Sequence, residues 1–156
     1  MSELYEEIVQ GETLLRRAPG VRHEAICARL HSLVASSVPA NAATRLLAPR
    51  SPVQLTAGTL LRPDLALITV ASGKPWLLAE IVDPADHRVD TVTKKAIYED
   101  TRIPRLWMID PRYDNVEIYH ATEYGLALRG ILAQREFVEE TLLPGLRMSI
   151  ATLFGV

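Results

Sequence analysis

Two carboxylates on neighbouring strand-like runs, followed by a lysine on a helix, are the residues best placed to do chemistry. The first run is Arg62-Pro63-Asp64-Leu65-Ala66-Leu67-Ile68-Thr69-Val70 and the second is Trp76-Leu77-Leu78-Ala79-Glu80-Ile81-Val82. Between them Ala71-Ser72-Gly73-Lys74-Pro75 is short, polar and rich in turn formers, as a hairpin loop is. Folding about Ser72 pairs Asp64 with Glu80, Ala66 with Leu78 and Ile68 with Trp76. Directly opposed residues share a face with Cβ atoms ~5 Å apart. Two carboxylates at that distance repel unless a cation lies between them, and a divalent metal with oxygen ligands suits the place.

The lysine needs separate weighing. The chain has only three lysines among 17 basic residues, and two of them, Lys94 and Lys95, are adjacent. Lysine offers a compact charge and a pKa that shifts on burial, which arginine does not. Asp90, Lys94 and Tyr98 recur at i, i+4 and i+8 on a helix expected over Asp86 to Thr101. One reading is an Asp–Lys surface pair, whose loss costs under ~1 kcal/mol. The other places Lys94 at the border of the core-facing stripe, with its ammonium over the two carboxylates and Lys95 in solvent. Periodicity leaves both open.

The positioning elements follow from patterning. Val21 to Val38 reads as an amphipathic helix with Ile26, Leu30, Leu33 and Ser37 inward, flanked by Cys27 and Val34, and closed by Pro39. Thr44 to Ala48 and Pro52 to Thr56 read as short strands. The second helix carries an apolar stripe of Val89, Val92, Ala96 and Ile97, with a capping oxygen from Asp86. Arg105 to Asp110 is a buried strand with Trp107 in the core, and Val116 to His120 with Tyr124 to Arg129 is a further hairpin. The order implies an α/β fold, a mixed sheet covered on both faces.

Composition sets limits. At 156 residues with 48% apolar content, one domain over 1–156 is expected. No apolar run is long enough for a membrane helix, and the acidic opening Met1-Ser2-Glu3 lacks the order of a signal peptide. One cysteine, Cys27, cannot form an internal disulfide and suits a reducing compartment, the cytoplasm. A net charge of −2 argues against a pure DNA-binding module but not against a nuclease, which needs only a local basic rim.

Taken in order, the motifs resemble those of the Uma-two endonuclease-like family, a bacterial branch of the PD-(D/E)XK restriction-endonuclease-like superfamily. They are Tyr5-Glu6-Glu7-Ile8-Val9-Gln10-Gly11-Glu12, Arg22-His23-Glu24, Arg62-Pro63-Asp64, Glu80-Ile81-Val82-Asp83-Pro84, Asp90-x-x-x-Lys94-x-x-x-Tyr98, Ile103 to Asp110, and Leu143-Pro144-Gly145-Leu146. The resemblance implies a restriction-endonuclease-like mixed sheet flanked by helices, an αβββαβ core, with extra C-terminal strands. It also implies a Mg²⁺-dependent (or Mn²⁺-dependent) endonuclease acting on DNA. Asp64, Glu80 and the main-chain carbonyl of Ile81 would hold the metal. Lys94 would orient water or offset transition-state charge, and Glu7 would be an additional acid whose alternative is a solvated carboxylate. The chain departs from the pattern at Val82, where the superfamily places lysine, at Asp83-Pro84-Ala85 in place of Ser-Pro-Ser, and at Gln10 in place of Asp.

Other residues carry less. His23 on the first helix is more simply a satisfied helix-start histidine than a general base. The four histidines show no zinc spacing. Asp110, before Pro111, suits a turn cap. Three readings result: a Mg²⁺-dependent DNA endonuclease, a catalytically silent module binding nucleic acid or a protein, and a domain whose acidic pair is only structural. A homodimer is expected from the apolar content of Val116–Arg129 and Ile131–Phe154.

Overall fold

The structure, a computed structural model describing residues 4–38 and 43–156, opens with a hairpin that the strand patterning misses. Strands β1 (Leu4–Val9) and β2 (Glu12–Arg17) pair antiparallel, Tyr5 opposite Arg16 and Glu7 opposite Leu14. Gln10 and Gly11 join them with φ of 50° and 81°, the two left-handed residues of a type I′ turn. That turn sets the register, and the register puts Glu7 and Arg16 on one inward face.

Helix α1 (Val21–Ser37) buries Ile26, Cys27, Leu30, Val34 and Ser37, as its spacing predicts, while Leu33 is half-buried. Pro39 lies outside the described residues. Next come β3 (Thr44–Leu46), β4 (Val53–Thr56), β5 (Thr59–Leu61), β6 (Leu65–Thr69) and β7 (Pro75–Ile81). A π-helical segment, Val89–Lys94, runs into α2 (Lys95–Asp100). Then follow β8 (Arg105–Asp110), β9 (Asn115–Thr122), β10 (Gly125–Ala133), β11 (Phe137–Val138), β12 (Met148–Ser149) and α3 (Ile150–Phe154).

The strands form a six-stranded sheet in the order β10-β9-β8-β7-β6-β3, a four-stranded sheet β2-β1-β5-β4, and the pair β11-β12. In the large sheet only β7 and β8 run parallel, joined through the π segment and α2, since a parallel pair requires a crossover. Taking β3, β6 and β7 as the three strands between α1 and α2, this is the αβββαβ core, with β4 and β5 turned aside into the small sheet.

The hairpin register is as predicted over Leu65–Ala79, Ala66–Leu78 and Leu67–Leu77. It departs at the loop end, where a bulge pairs Ile68 with Pro75 and not with Trp76. Alternation then sorts the core. Leu77, Ala79 and Ile81 join Leu65, Leu67, Trp107 and Ile109 beneath α1 and α3. Leu78 and Val82 join Ala66, Leu106 and Met108 on the opposite face, with Tyr98, Val53 and Leu61. Glu80 belongs to this second face by its place in the alternation.

The second helix corrects the expectation most. It starts at Val89, not Asp86, and the Asp86 carboxylate pairs with Arg16 Nε at 3.3 Å instead of capping it. Half of the predicted apolar stripe faces outward, with Val92 61% exposed and Ala96 exposed, while Val89 is half-buried and Ile97 is half-buried against the core. The buried stripe is Asp90, Lys94 and Tyr98. The C-terminal apolar residues offered above as a dimer surface are largely spent inside the chain, where Val138, Leu143, Leu146, Met148, Ile150, Leu153 and Phe154 are buried. Among the described residues no helix is long and apolar enough to cross a membrane.

Candidate active site

The charged residues of the second face meet where the two sheets and the π segment come together. Glu7 comes from β1, Arg16 from β2, Glu80 from β7, and Asp90 and Lys94 from the π segment. Asp64 stands on the short link from β5 to β6. All six residues are at most 4% exposed. A π turn at such a place is common at functional sites, because widening the helix redirects side chains.

Lys94 is the hub. Its ammonium, fully buried, lies 2.7 Å from Glu7 Oε2 and 2.5 Å from Glu80 Oε1. The Tyr98 hydroxyl donates to the same Glu80 oxygen at 2.6 Å. Glu7 also accepts from Arg16 Nη1 and from the Arg62 amide, both at 2.7 Å. Arg16 reaches Asp90 Oδ1 at 3.0 Å, and Asp90 Oδ2 accepts from the Asp83 amide at 3.0 Å. The expected Asp90–Lys94 surface pair is therefore absent from these contacts, because each residue turns inward to a different partner. Glu7 is no solvated carboxylate. Lys95 is half-buried, its ammonium 4.4 Å from the centre of the Tyr119 ring.

Asp64 is tied on every side. Its Oδ2 accepts from the Ile81 amide at 2.8 Å, which fixes it beside the end of β7. His23 Nε2 donates to the Ile81 carbonyl at 3.1 Å and lies 3.3 Å from Asp64 Oδ2. Both neighbours are acceptors, so the hydrogen sits on Nε2. One and two turns further along α1, Cys27 Sγ (3.8 Å) and His31 Nε2 (2.6 Å) donate to the Asp64 carbonyl. The helix whose residues read as ordinary core is thus also the brace of the Asp64 backbone.

The electrostatics show a shortage of positive charge. Burial pushes the Glu80 carboxyl up to about 8 although Lys94 opposes it, and Asp90, Asp64 and Glu7 add to the rise. Burial also raises Asp90 against the pull of Lys94 and Arg16. For Lys94, burial is outweighed by Glu80, Glu7 and Asp90, and its pKa rises. Asp64 moves down, since the His23 hydrogen bond and charge overcome burial, helped by the Ile81 amide. His23 rises for the reciprocal reason. Four buried carboxylates face two buried cations, with only the half-buried His23 and Arg50 in addition, beside Asp64. A divalent cation would add the positive charge that the cluster is short of.

The donor chemistry fits a hard, oxygen-seeking ion. Asp64, Glu80, Ile81, His23 and Asp90 line one narrow cleft of about 10 Å³, room for a single water or ion. Among the described residues no three acidic, histidine or cysteine side chains form a metal-binding group. Two carboxylates and a carbonyl are still enough for Mg²⁺, which keeps several of its waters. Sequence reasoning missed Arg16 and Asp90 as members of the cluster. Arg16 gave no signal, being one of many arginines, whereas Asp90 had already been placed on the Lys94 stripe. Asp110 forms the expected turn, accepting from the Arg112 amide at 3.0 Å, and Trp107 is core.

Comparison with known proteins gives the family and the fold. The model of a family described as "Uma2: Putative restriction endonuclease" matches residues 2–151. A solved structure described as a putative nuclease belonging to DUF820 from Anabaena variabilis superposes with a TM-score of 0.78 at 18% identity, covering 96% of this chain and 89% of that one. The fold is therefore restriction-endonuclease-like. No curated protein matches.

Proposed function

Because the chain belongs to the Uma2 family, described as putative restriction endonucleases, we propose that it is a Mg²⁺-dependent endonuclease that hydrolyses DNA phosphodiester bonds in the cytoplasm. One observation carries the reading: a fully buried lysine clamped between Glu7 and Glu80, directly behind a cleft lined by Glu80, Asp64 and Ile81. Asp64, Glu80 and Ile81 would hold Mg²⁺ or Mn²⁺. A metal bound there polarises a phosphate oxygen and makes a bound water more acidic. Glu7 and Glu80 keep Lys94 charged, and its ammonium would offset, through Glu80 and the cleft in front of it, the negative charge that builds on the phosphate oxygens in the transition state. Tyr98 holds the Glu80 carboxylate in one orientation. Glu7 acts through Lys94 and is a positioning residue.

A catalytically silent module is favoured by a different observation. The ligand oxygens are already partnered, Ile81 O by His23 and Asp64 by His23 and Arg50. The two readings separate in a plasmid-nicking assay with and without Mg²⁺, run beside Glu80→Ala and a melting curve. The nuclease reading expects metal-dependent nicking lost in Glu80→Ala, and a melting temperature that rises with Mg²⁺ in the parent but not in Asp64→Asn. A metal-dependent melting shift without nicking indicates the silent module. Neither response rejects the site. A homodimer belongs to the reading, with β10 as an open sheet edge carrying exposed Leu128 and Ile131, and light scattering at micromolar concentration checks it.

A further inference from the structure

We propose that Arg50 is the residue that takes the substrate phosphate, and that its contact with Asp64 is a resting position. The proposal rests on the nuclease reading above. Arg50 sits on the Pro49-Arg50-Ser51-Pro52 turn with φ of 55°, a left-handed conformation costly for a residue with a side chain. Three hydrogen bonds hold the turn there. The Arg50 amide donates to Pro63 O at 3.1 Å, Arg62 Nη1 donates to the Arg50 carbonyl at 3.3 Å, and the Ser51 amide donates to Ala48 O at 3.2 Å. A strained backbone that its surroundings over-determine is a mark of function, and this one delivers a guanidinium to the edge of the Asp64 cleft.

The partners of Arg50 are ones it can exchange. Nη1 is 3.3 Å from Asp64 Oδ1, a long contact, and the guanidinium grips Glu24 at 2.8 and 3.0 Å. The Glu24 side chain is 48% exposed, and an exposed pair holds weakly. Arg16 offers the opposite case. It is 4% exposed and each of its three nitrogens already meets a carboxylate, Glu7, Asp90 or Asp86, so it is held in the cluster and not free to move to a substrate. With Asp64 committed to a cation, Arg50 keeps only Glu24, and a phosphate with two free oxygens matches its fork better than a solvated carboxylate. Arg50 is then a substrate-binding residue beside the reacting phosphate, and Glu24 is where it waits.

The test reads binding, not turnover. Fluorescence anisotropy of a labelled duplex in Ca²⁺ over a salt series is combined with Mn²⁺ affinity by electron paramagnetic resonance and with melting curves. Arg50→Gln should weaken duplex binding about tenfold and lower the salt slope by about one, while Mn²⁺ affinity stays equal or rises. Arg50→Lys should recover the slope but not the full affinity. Glu24→Gln, an exposed change that should not threaten the fold, should bind duplex as tightly as the parent or tighter. The proposal is overturned if Arg50→Gln binds within twofold at the same slope. It is also overturned if Arg50→Gln loses Mn²⁺ affinity together with melting temperature, or if Glu24→Gln weakens duplex binding. A parent that binds Mn²⁺ but no duplex overturns the nuclease reading and this proposal together, whereas a parent that binds duplex with an unaffected Arg50→Gln overturns this proposal alone.

Discussion

The two faces of β7 are built from opposite materials. Leu77, Ala79 and Ile81 point into an apolar layer beneath α1 and α3, with Trp107 and Ile109, held by dispersion and buried area. Leu78 and Val82 flank Glu80 on the other side, and there six charged residues are buried between the sheets. Removing an apolar side chain leaves a hole. Removing one ion leaves its partners charged, unpaired and out of water, a penalty that can exceed the cavity's. The apolar face is thus tolerant in kind and graded in size, while the ionic face stands or falls as a set.

The largest expected effect follows from that contrast. Lys94→Ala takes from Glu80 its only cation, leaving it the Tyr98 hydroxyl, and from Glu7 one of its two, and in this fully buried site should cost about 3–5 kcal/mol in denaturant unfolding. This replaces the sub-kilocalorie loss expected of a surface pair. Lys94→Met combined with Glu7→Gln and Glu80→Gln should recover much of it, because neutral isosteres need no counter-charge; a triple variant no more stable than Lys94→Ala would show that the cluster is not a charge-balanced set.

On the apolar face, Leu77→Ala should cost about 2–5 kcal/mol through its cavity, by an amount that does not change with pH between 5 and 8 or with added Mg²⁺. A pH- or metal-dependent cost would break the distinction between the faces.

The ionic face should carry the pH dependence. The folded state holds a proton on Glu80 up to about pH 8, while the ordinary value is 4.5. Across that window the folded chain binds more protons than the unfolded one, so metal-free stability should fall as pH rises from 5 to 8. Asp90 and His23, both raised, act in the same direction, and His120, lowered by burial and by Arg105, opposes them in the lower part of the window. Lys94 contributes a change only above its ordinary 10.5 and Asp64 only near or below 3.8, outside the window. Glu80→Gln should flatten the slope in melting curves at several pH values without abolishing it. A parent whose stability is level or rises over this range would contradict the burial argument.

The smallest effect lies at the hairpin that aligns Glu7 with Arg16. Gln10 holds φ of 50°, which asparagine adopts more readily, so Gln10→Asn should stabilise by under about 1 kcal/mol and leave any metal-dependent shift intact. Lys95→Ala should sit at the same scale, losing one half-exposed cation–π contact.

What could be read in advance, and what could not, divides along the same line. Helix α1, the β6–β7 hairpin that brings Asp64 and Glu80 to neighbouring strands, and β8 were legible, because apolar periodicity and local turn chemistry are properties of neighbouring residues, whereas periodicity left Lys94 open. Resemblance to a family then linked motifs that periodicity could not connect. The β1–β2 hairpin escaped because Glu7 and Arg16 occupy inward positions where patterning expects apolar side chains. The second helix was turned the wrong way for the same reason, Val92 being taken as core and Asp90 as surface. Whether a charge can be buried depends on partners far along the chain: Arg16 and Asp90 are 74 residues apart, Glu7 and the Arg62 amide 55. The sequence by itself determined which residues were available for the site and the strand alternation that offers Glu80 to one face. Only the tertiary structure decided that Lys94 turns inward and Lys95 does not, because desolvating an ammonium is tolerable only where two carboxylates from separate strands already wait for it.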